Sequence, residues 1–186
     1  MIKLIAFDLV GVLVTEKDIF LSTEEERLER LFGANISDAD YLNKGRKIIS
    51  KDSVLVGMTE KIIENIYKVK DYNIFLKLKN NYPDLKLIIA TNHVSYVRNF
   101  IGENLNIEYL NDVIISAEIN KIKPNLDFYQ EIVTRTKIDA KDILFVDDNQ
   151  NNVDGALKAG MQALKIDHKD DVYEKIVNYL KTMNFD

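Results

Sequence analysis

The stretch "ILFVDDNQNNVDGALKAGMQALKI", residues 143–166, reads as a complete strand–helix–strand unit. Its apolar run over 143–146 stops at Asp147-Asp148, and a helical pattern over 151–160 ends at Gly160, a residue type suited to a helix C-cap. "QALKI" (162–166) is a second short run, closed by Asp167. Short, bounded runs of this kind are buried strands. Two strands joined by a single helix lie parallel.

The same pattern recurs upstream. "IKLIAF" (2–7) stops at Asp8, "LKLIIA" (85–90) stops at Thr91-Asn92, and "DVIIS" (112–116) is a weaker run. Helical patterns lie between them at 95–105 and at 124–136, where Pro124 suits a first turn. Another closes the chain at 170–183, with acidic residues in its first turn. The expected fold is α/β, a doubly wound parallel (Rossmann-like) sheet. Residues 16–70 break the alternation. Patterns over 22–33, 37–50 and 59–70 predict a small helical cap inserted after the first strand, and 72–82 a helix leading back to the sheet. The expected domains are a core of 1–15 and 71–186 and a cap of 16–70, whose aromatic residues pack its core and roof a pocket.

Composition narrows the function classes. The 186 residues fit one domain with a modest insertion, and 46% hydrophobic with 30% charged residues is ordinary for a globular chain. Thirty acidic against 25 basic residues, net −5, give no basic stripe for nucleic acid and no attraction to anionic membranes. The absence of cysteine excludes disulfides and thiolate metal sites. Asp8 interrupts the first apolar run, so no secretory signal is expected, and no stretch has the length of a membrane span. A cytoplasmic protein is the expectation.

Ligands of open α/β sheets bind at the carboxyl ends of the strands. The residues there are Asp8, Thr91-Asn92, Lys123 ahead of the 124–136 helix, and Asp147-Asp148 with Asn152. A carboxylate, a hydroxyl, an ammonium and a carboxylate pair suit a phosphoryl group with Mg²⁺, a hard cation that takes oxygen ligands. Chain order separates two architectures with this inventory. A response-regulator receiver carries its acidic pair first and its phospho-accepting aspartate later. Here the single aspartate comes first.

That order, with "FDLVGVL", "ATN", "KPN" and "VDDNQNNVDGALKAGM", resembles the haloacid dehalogenase-like (HAD) superfamily, and within it the phosphatases with a helical cap. The resemblance spans nearly the whole chain. It implies that Asp8 is the nucleophile that forms an aspartyl-phosphate. It implies that Thr91 hydrogen-bonds the phosphate, helped by the backbone around Asn92, and that Lys123 offsets charge on Asp8 and phosphate. Asp148 is then a Mg²⁺ ligand, with Asp147 and Asn152 in supporting positions. Residue 10 is a Mg²⁺ ligand through its backbone carbonyl, which Val10 retains.

The side chain at position 10 is the departure. In the family it is normally an aspartate that protonates the leaving oxygen and then activates water, and valine does neither. General acid–base catalysis is worth about 10² to 10⁴ in rate. The expectation is a slowed Mg²⁺-dependent phosphatase of a small phosphorylated metabolite, least impaired on aryl or acyl phosphates. A non-catalytic HAD-like protein that binds a phosphorylated ligand or partner is the alternative, and a dehalogenase a more distant one. His93 is a candidate replacement proton donor against a plain helix-start residue. Lys121 reads as a surface lysine near the site, His168 as a loop residue, and "STEEERLER" as a solvated helix face. Thr91-Asn92 and Asn152 carry helix-capping readings as well.

Overall fold

The computed structural model describes residues 1–33 and 37–183. Strand β1 (Leu4–Phe7) is followed by a short ribbon of β2 (Val14–Glu16) and β3 (Tyr67–Val69). The chain continues through β4 (Lys86–Thr91), β5 (Asp112–Ile115), β6 (Ile143–Asp147) and β7 (Gln162–Lys165). Among the described residues, five strands form one parallel sheet in the order β5-β4-β1-β6-β7. The first strand is therefore central. In register, Phe7 stands opposite Ile89 on one side and Val146 on the other.

Alternation within the strands builds two cores. Ile5, Phe7, Leu87, Ile89, Leu144 and Val146 face α4 (Ile74–Asn81), α5 (Val97–Asn104) and α9 (Val172–Met183). Leu4, Ala6, Ile88, Ala90 and Phe145 face α7 (Leu126–Thr136), which follows the short α6 (Ser116–Ile119), and α8 (Gln150–Lys158). Strands buried on both faces are apolar at every position, which is why the runs read without alternation. The doubly wound parallel fold is as expected.

Among the described residues, three helices lie between the ribbon strands: α1 (Thr23–Glu29), α2 (Asp38–Gly45) and α3 (Asp52–Ile66). A capping box starts α1: the Ser22 hydroxyl accepts from the Glu25 N–H at 3.3 Å, and the Glu25 carboxylate accepts from the Ser22 N–H at 2.9 Å. Leu28, Phe32, Tyr41, Leu55, Ile62 and Ile63 are buried in the same cluster as Val94, Val97 and Phe100, so the insertion shares a core with one face of the sheet.

Several expectations are corrected. The helix expected over 59–70 starts at Asp52 and stops at Ile66, because Tyr67 turns extended (φ −95°, ψ 145°). Tyr67, Lys68 and Val69 then pair antiparallel with Glu16, Thr15 and Val14. Pro124 precedes α7 instead of sitting in its first turn, with Asn125 at the N-cap position. Not every aromatic of the insertion packs inward: Phe32 and Tyr41 are buried, but Phe20 is 94% exposed. Residues 34–36, inside the expected cap, and 184–186, at the end of the expected core, lie outside the described residues. Among the described residues no helix is long and apolar enough to cross a membrane.

Candidate active site

Because β1, β4 and β6 end side by side, the residues that follow them meet at one edge of the sheet. The Asp8 N–H donates to the Val146 carbonyl at 2.8 Å, extending the ladder by one rung, and its Oδ1 accepts from the Leu9 N–H at 2.8 Å. The chain then folds back. The Leu9 carbonyl accepts from the N–H groups of Leu13 and Val14, both at 2.9 Å, and the Gly11 N–H donates to the Val14 carbonyl at 2.8 Å. Lys70, just past β3, donates its ammonium to the Gly11 carbonyl. The Val10 carbonyl accepts no hydrogen bond among the described residues.

Gly11 has φ +85°, a region L side chains rarely adopt, and a Cβ there would collide with the Asp148 carboxylate. The glycine thus lets Asp148 close against the first loop. Asp8, Asp147 and Asp148 each offer an oxygen within 4.8 Å of the others, the one such carboxylate group among the described residues. Hard cations take oxygen ligands. The carboxylates of Asp8 and Asp148 and the open carbonyl of Val10 fit Mg²⁺ in donor type.

Asp147 has another task. Its Oδ2 lies 2.8 Å from Lys123 Nζ, its Oδ1 accepts from the Asn149 N–H at 2.9 Å, and the Asn152 amide donates to both oxygens at 3.1 Å. Asn152 is itself held, its carbonyl accepting from the Tyr129 hydroxyl at 2.7 Å. Lys123, 3% exposed, also reaches Asp8 Oδ1 at 2.8 Å, so one buried ammonium bridges two carboxylates. Asn92 fixes that lysine. Its side-chain oxygen accepts from the Lys123 N–H at 3.0 Å and its amide donates to the Lys123 carbonyl at 3.1 Å. Thr91, 1% exposed, ends β4 beside Asp8.

Burial and charge compete here. Burial pushes the Asp8 carboxyl up to about 6, against the pull of Lys123. Burial alone would lower the Lys123 ammonium, but the charges of Asp8 and Asp147 outweigh it and hold the pKa above the ordinary lysine value. Asp148 is raised by burial and then by Asp147.

A cavity of about 510 Å³ opens beside Val10, its walls including Glu16, Glu29, Phe32, Tyr67 and His93. The Tyr67 hydroxyl lies 2.9 Å from His93 Nε2, and His93 Nδ1 lies 3.2 Å from the Val94 carbonyl. Only a donor satisfies that carbonyl, so we assign the proton to Nδ1 and the acceptor role to Nε2. Burial pushes the imidazole down to about 4. His93 is therefore neutral at pH 7 with both nitrogens engaged, which corrects the expectation that it could stand in as proton donor.

The structure brings Asp8, Val10, Thr91, Asn92, Lys123, Asp147, Asp148 and Asn152 to one sheet edge. Lys123 is no surface lysine. Thr91 and Asn92 do not cap a helix, since α5 begins at Val97. Asn149 rather than Asn152 caps α8, accepting from the Asn151 N–H at 2.9 Å. Lys121 is occupied by Glu131, and His168 is exposed as expected. Asn149, Lys70 and Glu29 were not anticipated, and Tyr67 only as one of the aromatic residues expected to roof a pocket. Only Asn149, an asparagine just ahead of a helical run, carried a sequence signal.

The family model described as haloacid dehalogenase-like hydrolase matches residues 5–166. The chain belongs to that family. As a HAD-like hydrolase it shares its fold with a HAD-like family hydrolase from Porphyromonas gingivalis at TM-score 0.75 and 20% identity, covering 97% of this chain and 98% of that one. A HAD-family enzyme from Bacteroides thetaiotaomicron, solved in complex with magnesium and inorganic phosphate, matches at TM-score 0.69 and 17% identity, covering 92% and 97%. Among curated proteins, drimenol cyclase of Aspergillus calidoustus is 32% identical over 63 residues. That match spans 34% of this HAD-like chain and 12% of the cyclase.

Proposed function

We propose that this HAD-like hydrolase is a Mg²⁺-dependent phosphatase of a small phosphorylated metabolite. The observation that carries the reading is the Lys123 ammonium buried between Asp8 and Asp147, 2.8 Å from each, beside Asp148 and the open Val10 carbonyl. That edge gathers positive charge and oxygen donors around one carboxylate that keeps a free oxygen. The magnesium and phosphate complex of the Bacteroides enzyme, at a like fold, is in keeping with it.

In this reading Asp8 attacks phosphorus and forms an aspartyl-phosphate while the leaving oxygen departs. Lys123 and the Thr91 hydroxyl hold the phosphoryl oxygens, and Asn92, Asp147 and Asn152 keep Lys123 in place. Asp8, the Val10 carbonyl and Asp148 would hold Mg²⁺, which neutralises charge on the transferring group. The inserted helices act as a cap that excludes water and favours small substrates over phosphoproteins. Val10 supplies no proton, so without a proton carrier elsewhere in the site esters with good leaving groups are turned over best and the aspartyl-phosphate at Asp8 accumulates.

Val10 also favours a second reading, a HAD-like protein that binds a phosphorylated ligand without turning it over. One experiment separates the two: phosphate release from aryl, sugar and alkyl phosphates with Mg²⁺ and with chelator, with Asp8→Asn as blank and Val10→Asp as comparison. Metal-dependent release that disappears in Asp8→Asn supports the phosphatase. Release only in Val10→Asp supports the binding protein, and dehalogenation undiminished by chelator would support neither.

A further inference from the structure

Position 10 offers no side chain to move a proton, and the cavity beside it does. Among the described residues five ionisable groups line that cavity: Glu16, Glu29, Tyr67, His93 and Arg30, whose guanidinium is a cation held by Glu26 and no proton carrier. His93 has both nitrogens committed. Tyr67 hydrogen-bonds His93, and burial, with the charges of Glu16, Glu29 and Asp8, holds the phenol well above its ordinary value. It is no base at neutral pH. Glu16, at the end of β2, is exposed.

Glu29 differs from the other four. It is the last residue of α1, where the negative end of the helix disfavours a carboxylate. It is half-buried, and burial followed by the charge of Glu16 raises its pKa above the ordinary glutamate value. Among the described residues it has no ion-pair partner, since the neighbouring Arg30 pairs with Glu26. A carboxyl group disposed to keep its proton, on the wall shared with Val10, is what a general acid requires.

We propose that Glu29, contributed by the inserted helix α1, carries the proton that the residue at position 10 cannot. The inference rests on the phosphatase reading. In the first step the P–O bond to the leaving group breaks as Asp8 bonds to phosphorus, and the Glu29 carboxyl gives its proton to the departing oxygen, leaving an alcohol and a Glu29 carboxylate. In the second, that carboxylate takes a proton from water as the water oxygen bonds to phosphorus. The bond to Asp8 breaks, Asp8 leaves as a carboxylate, and Glu29 is again protonated.

The test compares the native chain with Glu29→Gln, Glu29→Asp and Asp8→Asn, all with Mg²⁺, on an aryl phosphate and an alkyl phosphate. Thermal melts check each fold. The expected result is an alkyl-phosphate kcat lowered by about 10² or more in Glu29→Gln, with a much smaller loss of Asp8 phosphorylation by the aryl ester. Mass spectrometry should find more phosphorylated Asp8 in Glu29→Gln than in the native chain, and Glu29→Asp should keep part of the alkyl activity. Equal losses on both esters, or none, with unchanged Asp8 phosphorylation would overturn the role of Glu29 and leave the phosphatase standing. Native phosphate release no greater than in Asp8→Asn would overturn both.

Discussion

The Asp148 carboxylate occupies the space in which a β-carbon on Gly11 would stand. The two residues come from loops at opposite ends of the sequence, and the missing side chain of one sets the position of the other. Gly11→Ala should therefore do two things. Its φ of +85° becomes strained, at about 1–2 kcal/mol of stability. Asp148 is also pushed from the first loop, and Mg²⁺ affinity should fall at least tenfold by isothermal titration calorimetry. Unchanged affinity would mean that Asp148 does not hold the ion.

Lys123 is the sole counter-charge hydrogen-bonded to Asp8 and Asp147 among the described residues. Lys123→Met should cost about 3–5 kcal/mol in urea unfolding, because two carboxylates are left without their ammonium. The same variant should show no Asp8-dependent phosphate release. A loss under 1 kcal/mol would show that the carboxylates relax to solvent or protonate with little penalty.

Asn92 is expected to act through Lys123 alone. Asn92→Ala removes both bonds to the lysine backbone, so about 1–3 kcal/mol of stability should be lost. Phosphate release should fall with kcat affected more than KM. Asn92→Ser, which retains one polar atom, should recover part of it. A KM effect alone would instead assign Asn92 to direct substrate contact.

His93 makes stability depend on pH. Its folded pKa is about 4 against 6.5 for the free side chain, so between those values the unfolded chain binds more protons than the folded one. The contribution is complete above pH 6.5, lost as pH falls toward 4, and about 3 kcal/mol in all. His93→Gln keeps an acceptor for Tyr67 and removes the titration. Its stability should change with pH less steeply than the native chain's by up to about 1.4 kcal/mol per unit in that window. Parallel profiles for the two proteins would show that His93 does not stay neutral.

The parallel sheet and the residues at its edge were legible for one reason. Strands buried on both faces leave unbroken apolar runs, and a carboxylate or hydroxyl at the end of such a run stands out. The ribbon of β2 and β3 left no such mark. Each strand has three residues, their pairing spans some fifty positions, and Tyr67-Lys68-Val69 continues the spacing of α3. The clamp of Asn92 on Lys123 was hidden for a like reason: its partners are 31 residues apart, and the asparagine that ends "ATN" shows no sign of what it will hold. Glu29 was invisible within "STEEERLER", where Glu24 and Glu26 are exposed, Glu25 completes a capping box and, of the glutamates, only Glu29 meets the cavity, beside Arg30. Periodicity assigns such a run to solvent, and the turn of a short helix decides which member faces inward.

The central place of β1 bears on how the protein is made. Strand β1 pairs with β4 on one edge and with β6 on the other, both of which follow it in the chain, and the latter is not complete until residue 147. Until then Leu4–Phe7 has an open edge in the nascent chain, and Lys123, already made, lacks the Asp147 carboxylate that it bridges to Asp8. Long-range pairings of this kind are slow and leave apolar strand edges exposed during synthesis. A chain arrested before β6 would be prone to aggregate, and the Asp8 carboxylate is made well before the groups that come to surround it.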